Sequence, residues 1–213
     1  MYKVIGNTNT RTLRVLWAMN EIGLKYEHLK VGAQSTEAQL ANVSGKVPSL
    51  EANGVNISDS TAIITYLADK YNQLTFPAGT IERAQQDSFT QFILDELDSI
   101  LWTAARHSFV LPKEMRVSEL KDTLHWEFAK SLKVLESRMG SGPNVMGEKF
   151  TIPDIILTHI GGWARVAKFD ITDGKLRDYF RQQINSFFAL LSKLLRLCFE
   201  AVEIISFSFG GSL

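Results

Sequence analysis

The chain has 213 residues, of which 45% are hydrophobic and 22% charged, a composition typical of globular proteins with one large domain or two small ones. It carries 23 basic and 23 acidic residues, so no basic excess points to nucleic acid. The lone cysteine, Cys198, excludes an intrachain disulfide framework and a CxxC pair. The N-terminus has no apolar signal core and no uncharged run spans a bilayer, so we expect a cytoplasmic protein without integral membrane association.

The first half of the sequence alternates between strand and helix signals. Apolar residues recur at helical spacing, Gly23 sits where a helix C-terminal glycine belongs, and Asn53-Gly54 is a strong hairpin signal. The predicted elements are strands 2–5, 26–31, 46–51 and 55–57 and helices 11–22, 36–41 and 60–71. This βαβαββα order is the arrangement of a thioredoxin-like domain.

Two motifs flank the predicted hairpin. Gly45-Lys46-Val47-Pro48-Ser49-Leu50 is a strand entry that contains a proline, and Ser58-Asp59-Ser60 is a helix entry built from oxygen-bearing side chains. The free N–H groups and dipole of a helix N-terminus favour a carboxylate. Either motif alone reads as structural, a strand-edge proline or a helix cap, but in this order they predict a site for a small peptide.

These motifs, followed by Ile-Ile-Thr-Tyr-Leu-Ala, resemble the glutathione-binding half of cytosolic glutathione transferases. In that family the peptide bond before the proline is cis, and the preceding residue binds the backbone of the glutathione cysteine. The resemblance implies that Val47, ahead of Pro48, binds the cysteinyl unit. It also implies that Asp59 and Ser60 hold the γ-glutamyl end and that Lys46 reaches the glycine carboxylate.

The loop after the first strand is expected to hold the group that acts on the thiol. A free thiol titrates near ~8.5 and the thiolate is the nucleophile, so a hydrogen-bond donor to sulfur promotes the reaction. The family uses Tyr, Ser or Cys there, and some bacterial relatives use Thr and Asn. Matching Thr10-Arg11 to the Ser-Arg of serine-type members makes Thr10 the first candidate, with Thr8 and Asn9 as alternatives. Thr10 could equally cap the helix, and Arg11 is expected to be an exposed helix arginine.

The second half carries long helical periods. A linker at 76–80 is expected to separate a glutathione-binding domain at 1–75 from an all-α helical-bundle domain at 81–213, which gives an α+β two-domain fold. Helices are predicted at 81–106 and 116–139, with a break at 107–113. Thr151 and Asp154 form a capping box, so Asp154 is assigned to folding, and Phe150 is a candidate staple to Ile155.

The resemblance also implies a pocket for a second, apolar substrate, between the first loop and the ends of the long helices. Its candidate residues are Trp102, Arg106, His107 and Phe109, with core packing as the alternative. No pair among His107, His125 and His159 has metal-site spacing, so no metal is expected.

The tail departs from the family pattern after residue 181. Residues 182–213 are apolar nearly all round a helical projection, apart from a narrow charged stripe at Lys193, Arg196, Glu200 and Glu203. Such a helix must be buried or bound. We expect it to pack against the helical domain; an altered terminus, or a partner- or membrane-surface helix, is the alternative. Cys198 within it is expected to be inert.

The resemblance, which covers residues 1–181, implies a homodimeric detoxification enzyme. It would use glutathione as a substrate, without a metal, and join its thiolate to an apolar electrophile. One alternative is a glutathione-dependent disulfide reductase or peroxidase, which the Thr and Asn of the loop suggest. Another is a non-catalytic binding module, which the missing Tyr, Ser or Cys and the unusual tail favour.

Overall fold

The computed structural model describes residues 1–171 and 174–186, and its first half is the predicted thioredoxin-like unit. Its elements are β1 (Tyr2–Ile5), α1 (Thr12–Ile22), β2 (Tyr26–Leu29), α2 (Thr36–Ala41), β3 (Ser49–Ala52), β4 (Val55–Ser58) and α3 (Ser60–Tyr71). The sheet has the order β2-β1-β3-β4. β1 runs parallel to β2 and antiparallel to β3, and β3 and β4 form the hairpin.

Local signals position these elements as the sequence predicts. Gly23 ends α1 in the left-handed region at φ 78°, and the Ser35 hydroxyl caps α2 by accepting the Ala38 N–H at 3.2 Å. β3 begins three residues later than expected, directly after Pro48. A proline lacks the N–H that a central strand must donate, so the ladder starts beyond it.

The second half is helical. Its elements are α4 (Ile81–Ile93), a π turn (Leu94–Asp98), α5 (Ser99–Ala105), a second π turn (Arg106–Val110), a 3₁₀ turn (Lys113–Met115), α6 (Leu120–Arg138), α7 (Ile152–Val166) and α8 (residues 175–186). The single helix predicted at 81–106 is therefore interrupted by one π turn and prolonged by another. Apolar periodicity does not register one extra residue in a turn, which is why the prediction missed both.

Arg116 explains why α6 begins at Leu120 rather than at residue 116. Its guanidinium folds back and donates hydrogen bonds of 2.8–3.1 Å to carbonyls at the end of the second π turn, those of Ser108, Phe109 and Leu111. These carbonyls have no partner within their own helix. Arg116 thus caps the C-terminal end of the preceding helix and is not the first residue of α6.

The capping box of α7 is present, as predicted. Asp154 Oδ2 accepts the Thr151 N–H at 2.8 Å, and Oδ1 accepts the Val145 N–H at 2.8 Å and the Tyr179 hydroxyl at 3.0 Å. Asp154 therefore ties three segments together. The Phe150 ring lies 5.8 Å from the Trp17 ring, which links the start of α7 to α1; its contact with Ile155 stays a prediction.

One hydrophobic cluster runs through both halves of the chain. Its members include Val15, Leu50, Ile63, Phe128 and Ile155. The chain between the halves is also bonded to the helical part, since the Phe76 N–H donates to Gln86 Oε1 at 3.0 Å. The division into domains at 76–80 stays a prediction.

The predictions for the tail fall largely outside the described residues. Residues 187–213 contain the charged stripe and Cys198, and the structure does not describe them. Among the helices of residues 1–171 and 174–186, none combines the length and the apolar character needed to cross a membrane.

Candidate functional site

The hairpin brings the two sequence motifs side by side. Ser49 at the start of β3 pairs with Ser58 at the end of β4, so Val47-Pro48 and Asp59-Ser60 flank the same end of the hairpin. The Val47–Pro48 peptide bond is cis, as the resemblance implied. Within residues 1–171 and 174–186, neither the N–H nor the C=O of Val47 has a hydrogen-bond partner. Both groups are therefore left for a ligand.

The loop after β1 reaches the same place. Ile5, the last residue of β1, pairs with Ser49, and Gly6 follows with φ 141°. A Cβ on Gly6 would lie 2.9 Å from Val47 Cβ, so this close approach requires glycine. The Gly6 carbonyl accepts a hydrogen bond from His28 Nε2 at 2.8 Å. The three regions singled out in the sequence thus meet at one end of the sheet.

Of the hydrogen-bond donors in the loop, the Thr10 hydroxyl is bonded to neighbouring residues, whereas the Asn9 side chain has no partner among the described residues. Thr10 Oγ1 lies 2.7 Å from the Asn7 carbonyl, which can only accept, and it accepts the Thr12 N–H at 3.2 Å. Thr8 and Asn9 are exposed. The Thr8 hydroxyl lies 3.5 Å from the Asn7 amide oxygen, and the Asn9 amide bonds to no described residue. The Thr10 hydroxyl must therefore give up its hydrogen bond to the Asn7 carbonyl before it can donate to a sulfur atom, whereas the Asn9 amide can donate without losing a bond.

Asp59 and Ser60 open α3. Asp59 has φ 76°, and its Oδ1 accepts the N–H groups of Thr61 at 2.8 Å and Ala62 at 3.0 Å. Ser60 is 2% exposed, and its hydroxyl oxygen has no partner among the described residues. A buried polar group without a partner is costly, which suits a position meant to meet a polar ligand. Lys46 is exposed and forms no ion pair with any residue that the structure describes.

A buried charged network lies beneath the loop. Arg14 is fully buried, and its Nη2 lies 2.5 Å from Asp98 Oδ1 and 3.1 Å from His159 Nδ1. Arg11 Nη2 lies 2.6 Å from Asp98 Oδ2. Burial alone would raise the pKa of Asp98, but the charges of Arg14 and Arg11 outweigh it and hold that pKa below its ordinary value. Asp98 is therefore ionised and shared by two guanidinium groups.

Arg11 differs from the exposed helix arginine expected from the sequence. Its guanidinium lies over two indole rings, at 5.5 Å from the centroid of Trp102 and 5.2 Å from that of Trp163. Such cation–π contacts add to the ion pair with Asp98. The reason for the difference is tertiary, because each partner comes from the helical half of the chain.

The residues expected for the second-substrate pocket are spread along one helix. Trp102 lies beside the loop through its contact with Arg11. One turn further on, Arg106 Nη2 donates to Thr103 Oγ1 at 2.9 Å. His107 Nδ1 accepts the Val117 N–H at 3.0 Å, and Phe109 is 68% exposed at the second π turn. None of these last three side chains is hydrogen-bonded to the loop within the described residues, so a shared pocket stays a prediction.

Sequence reasoning missed Arg14, Asp98 and His159. A signal was available, because Asp98 lies at helical spacing between Leu94 and Leu101, and Arg14 lies at helical spacing before Trp17 and Ala18, so each interrupts an apolar face. A charged residue at a buried position requires a partner. The sequence could not identify these partners, since Arg14 is 84 residues from Asp98 and 145 residues from His159 along the chain.

Residues 12–75 match the family model described as glutathione S-transferase, N-terminal domain. Glutathione S-transferase U22 of Arabidopsis thaliana is 24% identical over 168 residues, 75% of this chain and 73% of that protein. Glutathione S-transferase A of Cavia porcellus is 28% identical over 162 residues, 72% of this chain and 70% of that protein. The comparisons support the glutathione S-transferase family.

Solved glutathione transferases share the fold. One from Methylococcus capsulatus has a TM-score of 0.77 at 22% identity and covers 92% of this chain and 100% of its own. URE2P6 from Phanerochaete chrysosporium, solved in complex with oxidized glutathione, has a TM-score of 0.73 at 21% identity and covers 92% of this chain and 94% of its own. In the part of this glutathione transferase-like chain that the structure describes, no group of three His, Cys, Asp or Glu side chains could hold a metal ion.

Proposed function

We propose that this protein binds glutathione where Val47-Pro48, Asp59-Ser60 and the loop after β1 meet, and that it transfers the glutathione thiolate to an apolar electrophile. The observation that carries the proposal is the pairing of Ser49 with Ser58. This pairing sets the unpartnered backbone of Val47 beside the N-terminus of α3. An extended peptide with a carboxylate at one end matches those two features.

Each part of glutathione has a counterpart in this site. The N–H and C=O of Val47 would pair with the backbone of the cysteinyl unit. The Ser60 hydroxyl and the backbone N–H of Ser60, at the N-terminus of α3, suit the γ-glutamyl carboxylate, and the Asp59 carboxylate suits its ammonium group. The exposed ammonium of Lys46 suits the glycine carboxylate.

The chemical step asks little of the protein beyond forming the thiolate. Once the thiol proton has left to solvent, sulfur attacks the electrophilic carbon and the leaving group departs with its electron pair. A single hydrogen-bond donor and the positive end of α1 stabilise the sulfur anion. Thr10 and Asn9 are the two donors to be distinguished, with Thr8 as a third.

The first experiment measures the ultraviolet absorbance of bound glutathione thiolate against pH, in the wild type and in the variants Thr10→Val and Asn9→Ala. We expect the wild type to form thiolate well below the free-thiol pKa of ~8.5. Loss of the donor should raise the bound pKa by about one unit, the equivalent of one charge-assisted hydrogen bond. The variant that shows the rise identifies the donor. A wild type that leaves the thiol pKa unshifted would overturn the proposed transferase.

A hydrogen-bond donor without a partner in the loop is also compatible with a second class of reaction. The unbonded Asn9 amide fits a glutathione-dependent disulfide reductase or peroxidase of the kind that the Thr and Asn of the loop suggest. Parallel assays with an aryl halide, a disulfide and a hydroperoxide separate these activities. Retention on immobilised glutathione without turnover in any assay would instead identify a binding module.

Assembly and location belong to the same proposal. We expect a homodimer of bacterial type, located in the cytoplasm and acting in detoxification. The support is the resemblance of the sequence to that family. Light scattering after size-exclusion chromatography tests the dimer, and a monomer at micromolar concentration would exclude it.

A further inference from the structure

His159 joins three segments around the candidate active-site loop. It lies on α7, within the helical half, and its Nδ1 lies 3.3 Å from Arg14 Nε and 3.1 Å from Arg14 Nη2. The backbone of Thr10 lies close enough to the ring to raise its pKa slightly, against the larger lowering by burial. One imidazole thus contacts Arg14 in the first turns of α1 and lies beside the loop.

The partners of the ring fix its protonation. A guanidinium has donors and no acceptor, so His159 Nδ1 must accept and its proton must sit on Nε2. Nε2–H can then donate to the carbonyl of Thr10. Burial, and next to it the charge of Arg14, lowers the pKa of His159 to about 3. The ring is therefore neutral across the physiological range, as this bonding pattern requires.

The other groups around His159 restrain it and the same loop. Asp98, in the first π turn, forms ion pairs with both Arg14 and Arg11. Trp163, one turn after His159 on α7, has its ring centroid 6.3 Å from that of His159 and 5.2 Å from the Arg11 guanidinium carbon. The Thr10 carbonyl also accepts the Leu13 N–H at 3.1 Å, which sets the start of α1. Residues of the helical half of the molecule thus hold the start of α1 and the loop before it in place.

We propose that His159 is a positioning residue that fixes the Thr8–Thr10 loop against Val47 through Arg14 and the Thr10 carbonyl. The role of that loop toward sulfur rests on the proposed transferase function. In this view His159 never touches glutathione. It sets the place and direction of the loop's donors, because a loop without such a hold samples many conformations and few of them point a donor at sulfur.

The test compares two variants of His159 with a matched control. His159→Leu removes the acceptor for Arg14 and the donor to Thr10, whereas His159→Gln offers an amide oxygen and an N–H in their place. His125→Gln is the control, because its ring stacks on Phe169 at 4.0 Å in the same helical half. Should His159→Leu fail to fold, the Gln variant still gives an intermediate value to measure.

The first readout is hydrogen exchange of the Thr10 and Leu13 amides, and it requires no ligand. We expect about fivefold faster exchange in His159→Leu, the factor for one hydrogen bond of ~1 kcal/mol, with a smaller rise in His159→Gln and none in His125→Gln. Amides of α6 serve as the internal reference. Unchanged loop amides, or α6 amides accelerated by the same factor, would overturn the positioning role.

The second readout is kinetic. A positioning role predicts that His159→Leu lowers kcat more than it raises KM for glutathione, raises the thiol pKa of bound glutathione, and is partly rescued by Gln. A purely structural role would change folding and leave the kcat and thiol pKa of the folded fraction as they are, which would overturn the proposal. If the wild type itself leaves the thiol pKa unshifted, the transferase function fails, while the exchange data still decide whether His159 holds the loop.

Discussion

At the scale of single residues, Ser60 links burial to binding. It is 2% exposed and lacks a partner for its hydroxyl oxygen among the described residues, although it stands at the first position of α3. The next two N–H groups of that turn, those of Thr61 and Ala62, already donate to Asp59 Oδ1. A serine that served only the fold would be expected to hydrogen-bond within the protein. We therefore expect the Ser60 hydroxyl to meet a ligand.

Ser60→Ala should weaken glutathione binding by roughly 10-fold or more, the cost of one hydrogen bond to a carboxylate, while the free energy of unfolding changes by less than about 1 kcal/mol. Calorimetry for affinity and urea denaturation for stability measure the two effects. Ser131→Ala is the contrasting variant, because Ser131 Oγ is bonded to Glu96 at 3.0 Å and far along the chain from the site. It should lose stability and keep its affinity. Equal losses of affinity and stability in Ser60→Ala would assign Ser60 to the fold.

At the scale of secondary structure, α7 depends on its N-terminal capping box. Asp154 accepts four donors, which are the backbone N–H groups of Thr151 and Val145 and the hydroxyls of Thr151 and Tyr179. α7 also carries His159 and Trp163, which hold Arg14 and Arg11. The position of the candidate active-site loop therefore depends on a helix that begins at Thr151.

Asp154→Ala should lower the free energy of unfolding by about 3 kcal/mol, because several buried donors lose their acceptor at once. Asp154→Asn keeps one acceptor oxygen and should lose less. Chemical denaturation measures both variants. The fraction that remains folded should bind glutathione as the wild type does. A fully stable Asp154→Ala, or a folded variant that no longer binds, would contradict a structural role.

At the scale of the whole molecule, Asp98 joins the helical half to the thioredoxin-like half. Its two carboxylate oxygens are divided between Arg14 and Arg11, both near the start of α1. Removing one member of a buried ion pair leaves the others charged and unpaired, which costs far more than the pair contributes. The packing of the two halves is therefore sensitive to this carboxylate.

Asp98→Asn should destabilise the protein at neutral pH by roughly 3 kcal/mol. The pKa of Asp98 is lowered on folding, so its contribution is present above the ordinary value of ~3.9 and is lost as the pH falls through the folded pKa. The difference in melting temperature between variant and wild type should thus be full at pH 7 and shrink below about pH 4. The control is Asp95→Asn, an exposed position in the same π turn. A difference that stays constant down to pH 3 would contradict the ion pair.

Much of the fold was readable from the sequence, because the signals for it are local. Gly23, the Asn53-Gly54 turn and the Thr151 capping box act over one to four residues, and each is found where the sequence indicated it. The neighbouring positions of Val47-Pro48 and Asp59-Ser60 followed as well, since a two-residue turn sets the register of a hairpin.

Tertiary structure alone decided the partners that are distant in the chain. Arg14 reaches Asp98 and His159 across 84 and 145 residues, and no periodicity or motif spacing pairs residues so far apart. The two π turns were likewise not readable, because apolar periodicity does not reveal one extra residue in a turn. The sequence by itself thus determined the elements and the two motifs of the candidate site, through short-range hydrogen bonds and turns. Packing of the two halves decided which residues hold the loop, because a buried charge needs a partner and the tertiary fold alone determines which partner lies next to it.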